Sequence, residues 1–146
     1  MPEFLELTYE KFILRVASDR LYSSQGLWFK REDGQVRVGL SDFVQQRNGD
    51  VAFVEIRPEG EMLQAGDELV VIETIKVSLS LETPLNGKIL QVNPILETSP
   101  EAINQDPYEK GWIALMEPEN WEIDHSRLLD PQAYHNRMQS LLAEEL

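Results

Sequence analysis

From residue 27 to 118, apolar and polar positions follow the two-residue period of half-buried strands, broken every few residues by glycine, proline, asparagine or aspartate. Leu27–Lys30 and Val36–Leu40 flank Asp33-Gly34 as a hairpin. Val51–Ile56 and Glu68–Ile72 are rich in β formers and are set apart by turns at Pro58-Glu59-Gly60 and Gln64–Asp67. Val77, Leu79 and Leu81 alternate with Ser78, Ser80 and Glu82, which predicts a strand with one wet face. Asn86-Gly87 predicts a tight hairpin into Lys88–Val92, and Gly111–Met116, ended by Pro118, predicts the strand that closes the sheet.

Helical signals lie at the margins. Tyr9, Phe12, Ile13 and Val16 fall at i, i+3, i+4 and i+7 behind a capping Thr8, which predicts a short amphipathic helix over 8–17. Ser41-Asp42 caps a helical turn closed by Asn48-Gly49, and Thr98-Ser99-Pro100 starts another. Asp130-Pro131 opens a C-terminal helix with Tyr134, Met138, Leu141 and Leu142 on one face. The elements predict a small, mostly β domain over 27–118, a flattened barrel or sandwich. A 1–26 extension with its short helix precedes it, and a 119–146 helical segment packs on it. A chain of 146 residues is long enough for one real core, burying about 68–70% of the surface it exposes when unfolded.

The centre of the pattern is Val70–Ser80, where two β-prone runs meet at Lys76 with no glycine, proline or asparagine between them. Lys76 therefore stands where a hairpin reverses. Composition narrows what such a lysine can do. With 13 Lys and Arg against 26 Asp and Glu, the net charge of −13 repels a phosphate backbone, which excludes nucleic-acid binding. No apolar run approaches the roughly 20 residues that cross a bilayer, and Glu3 and Glu6 precede the first apolar residues, unlike a secretory signal. A cytoplasmic protein is expected.

The chain has no cysteine, hence no disulfide and no thiol nucleophile of its own. It also lacks a glycine-rich phosphate loop, a nucleophile elbow and histidines at metal-ligand spacing, since His125 and His135 have no third ligand nearby in sequence. These absences predict a non-catalytic carrier whose cofactor performs the chemistry. An ε-amine at a hairpin tip is open to acylation, which removes its charge and leaves a long arm. The β-branched neighbours Thr74, Ile75 and Val77 stiffen the root of that arm.

Glu73-Thr74-Ile75-Lys76, with a glutamate three residues before the lysine, resembles the lipoylation site of glycine cleavage system H-proteins. Further pieces match that family in order: Val38–Phe43, Gly49–Val54, Thr83–Gly87, Val92-Asn93, Ser99-Pro100 and Asn104–Trp112. The resemblance runs from about Trp28 to the C-terminus. It implies a barrel-sandwich hybrid fold, lipoate covalently attached to Lys76, and Glu73 as a recognition element for the lipoate ligase or lipoyl transferase. It also implies a shuttle among glycine decarboxylase, aminomethyltransferase and dihydrolipoamide dehydrogenase. Biotin carriers share the fold but place their lysine between methionines, whereas Ile75 and Val77 flank this one.

Two departures bear on the cargo. Family members usually have His-Glu before the matching tryptophan and an aspartate four residues after the lysine; this chain has Gly26-Leu27 before Trp28, and Ser80. Leu27, Trp28 and Ser80 are thus candidate cleft residues. Without the usual carboxylates to stabilise a cationic aminomethyl group, the resemblance extends equally to H-protein-like lipoate-binding proteins. Those proteins serve the enzymes of a heterodisulfide-reductase-like sulfur oxidation pathway. An unmodified interaction module is the third reading.

Overall fold

A computed structural model describes residues 3–144. In chain order its strands and helices are β1 (Phe4–Tyr9), β2 (Phe12–Ala17), β3 (Leu21–Tyr22), β4 (Leu27–Glu32), β5 (Gln35–Leu40), α1 (Asp42–Asn48), β6 (Val51–Ile56), β7 (Met62–Leu63), β8 (Glu68–Thr74), β9 (Ser78–Glu82), β10 (Gly87–Val92), α2 (Ala102–Gln105), β11 (Ala114–Pro118), α3 (Trp121–Asp124) and α4 (Pro131–Glu144). Six strands form one sheet in the order β3-β4-β5-β11-β10-β7, three form another in the order β6-β8-β9, and β1 pairs with β2 alone. The two larger sheets enclose a core that includes Leu27, Phe29, Val38, Leu69, Ile72, Leu81 and Ile89. The fold is the expected mostly β sandwich, with its sheets left unclosed.

Local chemistry explains most of these elements. Asp33 and Gly34 both adopt positive φ, the conformation a two-residue turn between right-twisted strands requires. Ser41 Oγ accepts from Val44 N at the start of α1, and Gly49, at φ 84°, ends it. Asp130 Oδ1 caps α4 by accepting from Ala133 N at 2.7 Å.

Three expectations are corrected. Residues 8–17 form no helix; they supply the end of β1, the turn and all of β2. The turn is Glu10-Lys11, with Glu10 at φ 53° in the place glycine usually takes. The apolar positions there fit both periods, and tertiary contacts select the strand. Leu14 and Val16 are buried on one face, while Arg15 N donates to Asp42 Oδ2 and Gln46 Nε2 to the carbonyl of Ile13, so α1 satisfies the β2 edge.

Asn86-Gly87 makes no hairpin either, because β9 pairs with β8 and β10 with β11 and β7. Asn86 instead ties the crossing between sheets: its side chain accepts from Ala65 N, and its backbone N–H donates to buried Asp124. A Cβ at Gly87 would lie 2.6 Å from the carbonyl oxygen of Glu117. The strand expected to close the sheet over Gly111–Met116 starts at Ala114 and lies inside the six-stranded sheet between β5 and β10, while Gly111 is pressed in a turn against the Ala102 carbonyl.

A second core joins the outer face of β4 to β2, α1 and α4. Trp28, Tyr108, Met138 and Tyr134 lie in it, and the Tyr22 and Tyr134 rings stack at 4.4 Å. Burial pushes the Tyr108 hydroxyl up to about 12 and raises those of Tyr22 and Tyr134 as well. The unfolded chain gives up its tyrosine protons near pH 10, whereas the folded chain holds them. Stability is therefore full below about pH 10 and falls as pH rises toward 12. Denaturant midpoints between pH 8 and 12, followed with tyrosinate absorbance, are expected to show that loss, and Tyr108→Phe is expected to reduce it in part, with the Tyr22 and Tyr134 contributions remaining.

Candidate functional site

Antiparallel pairing of Glu73 with Ser78 brings β8 and β9 to a tip formed by Thr74-Ile75-Lys76-Val77. Neither Ile75 nor Lys76 has positive φ, so this turn reverses without the conformations that favour glycine. Thr74 is the reason. Its hydroxyl accepts from Lys76 N and Val77 N, each at 3.1 Å, and donates to the Val77 carbonyl, while Thr74 N donates to the same carbonyl at 2.8 Å. Ile75 N donates to the carbonyl of Asp50, which fastens the tip to the start of β6.

Lys76 is exposed and has no ion pair among the described residues. Its aliphatic stem rests on Gly49, where a Cβ would lie 3.7 Å from Lys76 Cε and 3.7 Å from Ile75 Cγ1. The lysine thus leaves the hairpin beside the C-terminal end of α1. There a cleft of about 290 Å³ opens between α1, which contributes Phe43, Val44, Arg47 and Asn48, and β9, which contributes Leu79 and Leu81. Gln25 closes its far end. The Arg47 guanidinium lies 5.2 Å over the Phe43 ring. The lining mixes apolar Phe43, Val44, Leu79 and Leu81 with polar Gln25, Arg47 and Asn48, and no described residue lining it is a carboxylate.

The other candidate residues lie at different depths. Glu73 is exposed beside Phe53 and Ser78, and its side chain has no hydrogen bond or ion pair among the described residues. Ile75 and Val77 flank Lys76 at 73% and 44% exposure, an apolar collar around the amine.

Leu27 and Trp28 are both fully buried, on opposite faces of β4. Leu27 enters the core between the sheets, and Trp28 the second core, where its indole N–H donates to the Pro107 carbonyl at 2.9 Å and Arg20 covers its ring at 4.6 Å. Ser80 sits between Leu79 and Leu81 on β9, so the pleat turns it to the outer face, where its hydroxyl donates to the Glu68 carboxylate.

The lining residues Gln25, Arg47 and Asn48 carry no pattern that marks them in the sequence, because each reaches the cleft only through the approach of α1 to β9. Thr74 was legible as a stiffener of the strand, but its hydroxyl clasp was not.

Residues 20–141 match the family described as Glycine cleavage H-protein. The chain belongs to that family. Relatives include the glycine cleavage system H protein of Oceanobacillus iheyensis, 39% identical over 121 residues that cover 83% of this chain and 95% of that one. The probable glycine cleavage system H protein of Thermococcus kodakarensis is 43% identical over 110 residues, covering 75% of this chain and 81% of that one. The crystal structure of a glycine cleavage system H protein from Mycobacterium marinum superposes with a TM-score of 0.76 at 29% identity, covering 84% of this chain and 98% of that one. The two share the barrel-sandwich fold. The match to the H-protein family begins at Arg20, so the β1–β2 hairpin lies outside it.

Proposed function

We propose that this member of the H-protein family is a non-catalytic lipoyl carrier of the glycine cleavage system, with lipoate amide-linked to Lys76. In this reading it works in the cytoplasm. Glycine decarboxylase loads an aminomethyl group onto the arm, the aminomethyltransferase removes it, and dihydrolipoamide dehydrogenase reoxidises the dithiol. The observation that carries the reading is the exposed lysine at a hairpin tip held by the Thr74 hydroxyl, its stem resting on Gly49 at the end of α1.

The residues present fit the group. Ile75 and Thr74 fix where the arm starts, and Val44, Leu79 and Leu81 offer aliphatic surface for its methylenes. Lipoate supplies the thiol chemistry that a chain without cysteine lacks. No helix among the described residues is long and apolar enough to cross a membrane, and no described His, Asp and Glu side chains cluster as a metal site.

The test is reconstitution. The lipoylated chain, mixed with glycine decarboxylase, is expected to support glycine–bicarbonate exchange at a rate within about tenfold of another family member. No exchange, where that member exchanges normally, would overturn the aminomethyl cargo. A second reading, an arm that carries sulfur intermediates for sulfur-oxidation enzymes, is favoured by the cleft lining. No described carboxylate lines the cleft where a cationic cargo would need one. Failure of glycine exchange together with transfer of a sulfur-loaded arm to such enzymes would establish it.

A further inference from the structure

Lys76 is placed by contacts from outside its own hairpin. Two of them come from the segment that leaves α1: the Asp50 carbonyl accepts from Ile75 N at 3.2 Å, and Gly49 lies under the Lys76 stem. That segment is in turn held by Asn104, 55 residues beyond Gly49 in the chain. Asn104 Nδ2 donates to the Gly49 carbonyl at 3.0 Å and to Gln45 Oε1 at 3.1 Å, and its Oδ1 accepts from Val51 N at 2.8 Å. A backbone N–H can only donate and a backbone carbonyl only accept, so the carboxamide has a single orientation and ties both ends of the 49–51 segment.

The base from which Asn104 reaches is firm. It stands in α2 beside Ala102 and Ile103, which are buried in the core between the sheets, and Asp106 N donates to the Ala102 carbonyl at 2.9 Å. Asn104 thus joins that core to residues 49–51, and those residues join it to the tip. The Thr74 hydroxyl works differently, because all its partners lie within residues 76–77. It fixes the shape of the tip and leaves its place over α1 to the contacts with Gly49 and Asp50.

We infer that Asn104 is a positioning residue for the modification of Lys76, setting through Gly49 and Asp50 where the lysine stands when an attaching enzyme takes it. The inference rests on the lipoyl-carrier reading. Attachment joins Lys76 Nζ to the acyl carbon of an activated lipoyl donor, an acyl adenylate. The C–N bond forms, the C–O bond to phosphate breaks, the nucleotide monophosphate leaves and the amine gives up a proton. Such a step needs the amine aimed at the acyl carbon, and a misplacement of about 1 Å can cost about a hundredfold in rate. A tip released from residue 50 offers the amine over a wider range of positions, so fewer encounters are productive.

The test compares Asn104→Ala and Asn104→Asp with Ile103→Val. Asn104→Asp keeps the acceptor for Val51 N and loses both donors, whereas Ile103→Val trims a buried side chain of the same helix and leaves the Asn104 contacts in place. Amide hydrogen exchange on the unmodified chain is expected to quicken about tenfold at Ile75 in both Asn104 variants. Val77, whose N–H is held by Thr74, is expected to exchange as in the native chain. The kcat/KM for lipoyl attachment by a lipoate ligase, measured well below each thermal midpoint, is expected to fall about tenfold in both Asn104 variants and by less than about twofold in Ile103→Val.

An unchanged Ile75 amide, attachment at the native rate in the Asn104 variants, or attachment slowed as much by Ile103→Val would each overturn the inference alone. If Asn104→Ala does not fold, Asn104→Asp decides by the same criteria. A native chain that accepts no lipoyl group overturns the carrier reading and this inference with it.

Discussion

Arginine in place of Lys76 is expected to leave a chain that folds normally and accepts no lipoyl group. A guanidinium stays protonated at any physiological pH and has no free lone pair with which to form the amide. The substitution should hardly touch stability, because the turn is held by the Thr74 hydroxyl and by backbone groups of residues 74–77, and position 76 is exposed. Such surface changes usually cost within about 0.5 kcal/mol. Intact mass after incubation with a lipoate ligase reads the first expectation, and a thermal midpoint reads the second. A lipoyl mass that survives in Lys76→Arg would move the attachment elsewhere and leave the hairpin without its role.

Trp28→Ala is expected to have the opposite profile: normal attachment chemistry on a chain much less stable. Trp28 is fully buried, its ring lies where Gly39 leaves room for it, and its indole N–H satisfies the Pro107 carbonyl. Removing it opens a cavity, strips Arg20 of an aromatic surface and takes the indole donor from the half-buried Pro107 carbonyl, at a cost of about 3–5 kcal/mol. In a chain of this size that lowers the unfolding midpoint by on the order of 10 °C. Denaturant titration measures the loss, and Trp28→Phe is expected to recover part of it. Near-normal stability in Trp28→Ala, joined to loss of carrier function, would return this residue to the cleft.

The same two residues show how much was legible beforehand. Lys76 could be placed at a reversal because the runs on either side are unambiguous strands, and the ordered motifs about it identified the family. Helices α1 and α4 were equally legible, since a serine or aspartate cap, a terminal glycine and a helical apolar stripe are all local signals. The Phe4–Ala17 hairpin was not, because Tyr9, Phe12, Ile13 and Val16 fit a helical face as well as Leu14 and Val16 fit a strand face. Only the packing of α1 against β2 separates the two. Asn86-Gly87 misled for a similar reason: its side-chain and steric properties serve a crossing between sheets as readily as a tight turn.

By itself, then, the sequence determined the strand pattern, the exposed lysine at a hairpin tip and membership of the H-protein family, since all of these are encoded in runs of adjacent residues. What the lysine's arm would meet was decided only by tertiary structure. Leu27 and Trp28 are neighbours in the chain, yet the pleat of β4 sends them into two different cores; Ser80, between two cleft residues, faces the opposite side beside Glu68. The cleft is walled by side chains from α1, β9 and Gln25, segments up to 56 residues apart that meet only when the sheets pack. Its chemistry is a property of that packing, which no local period records.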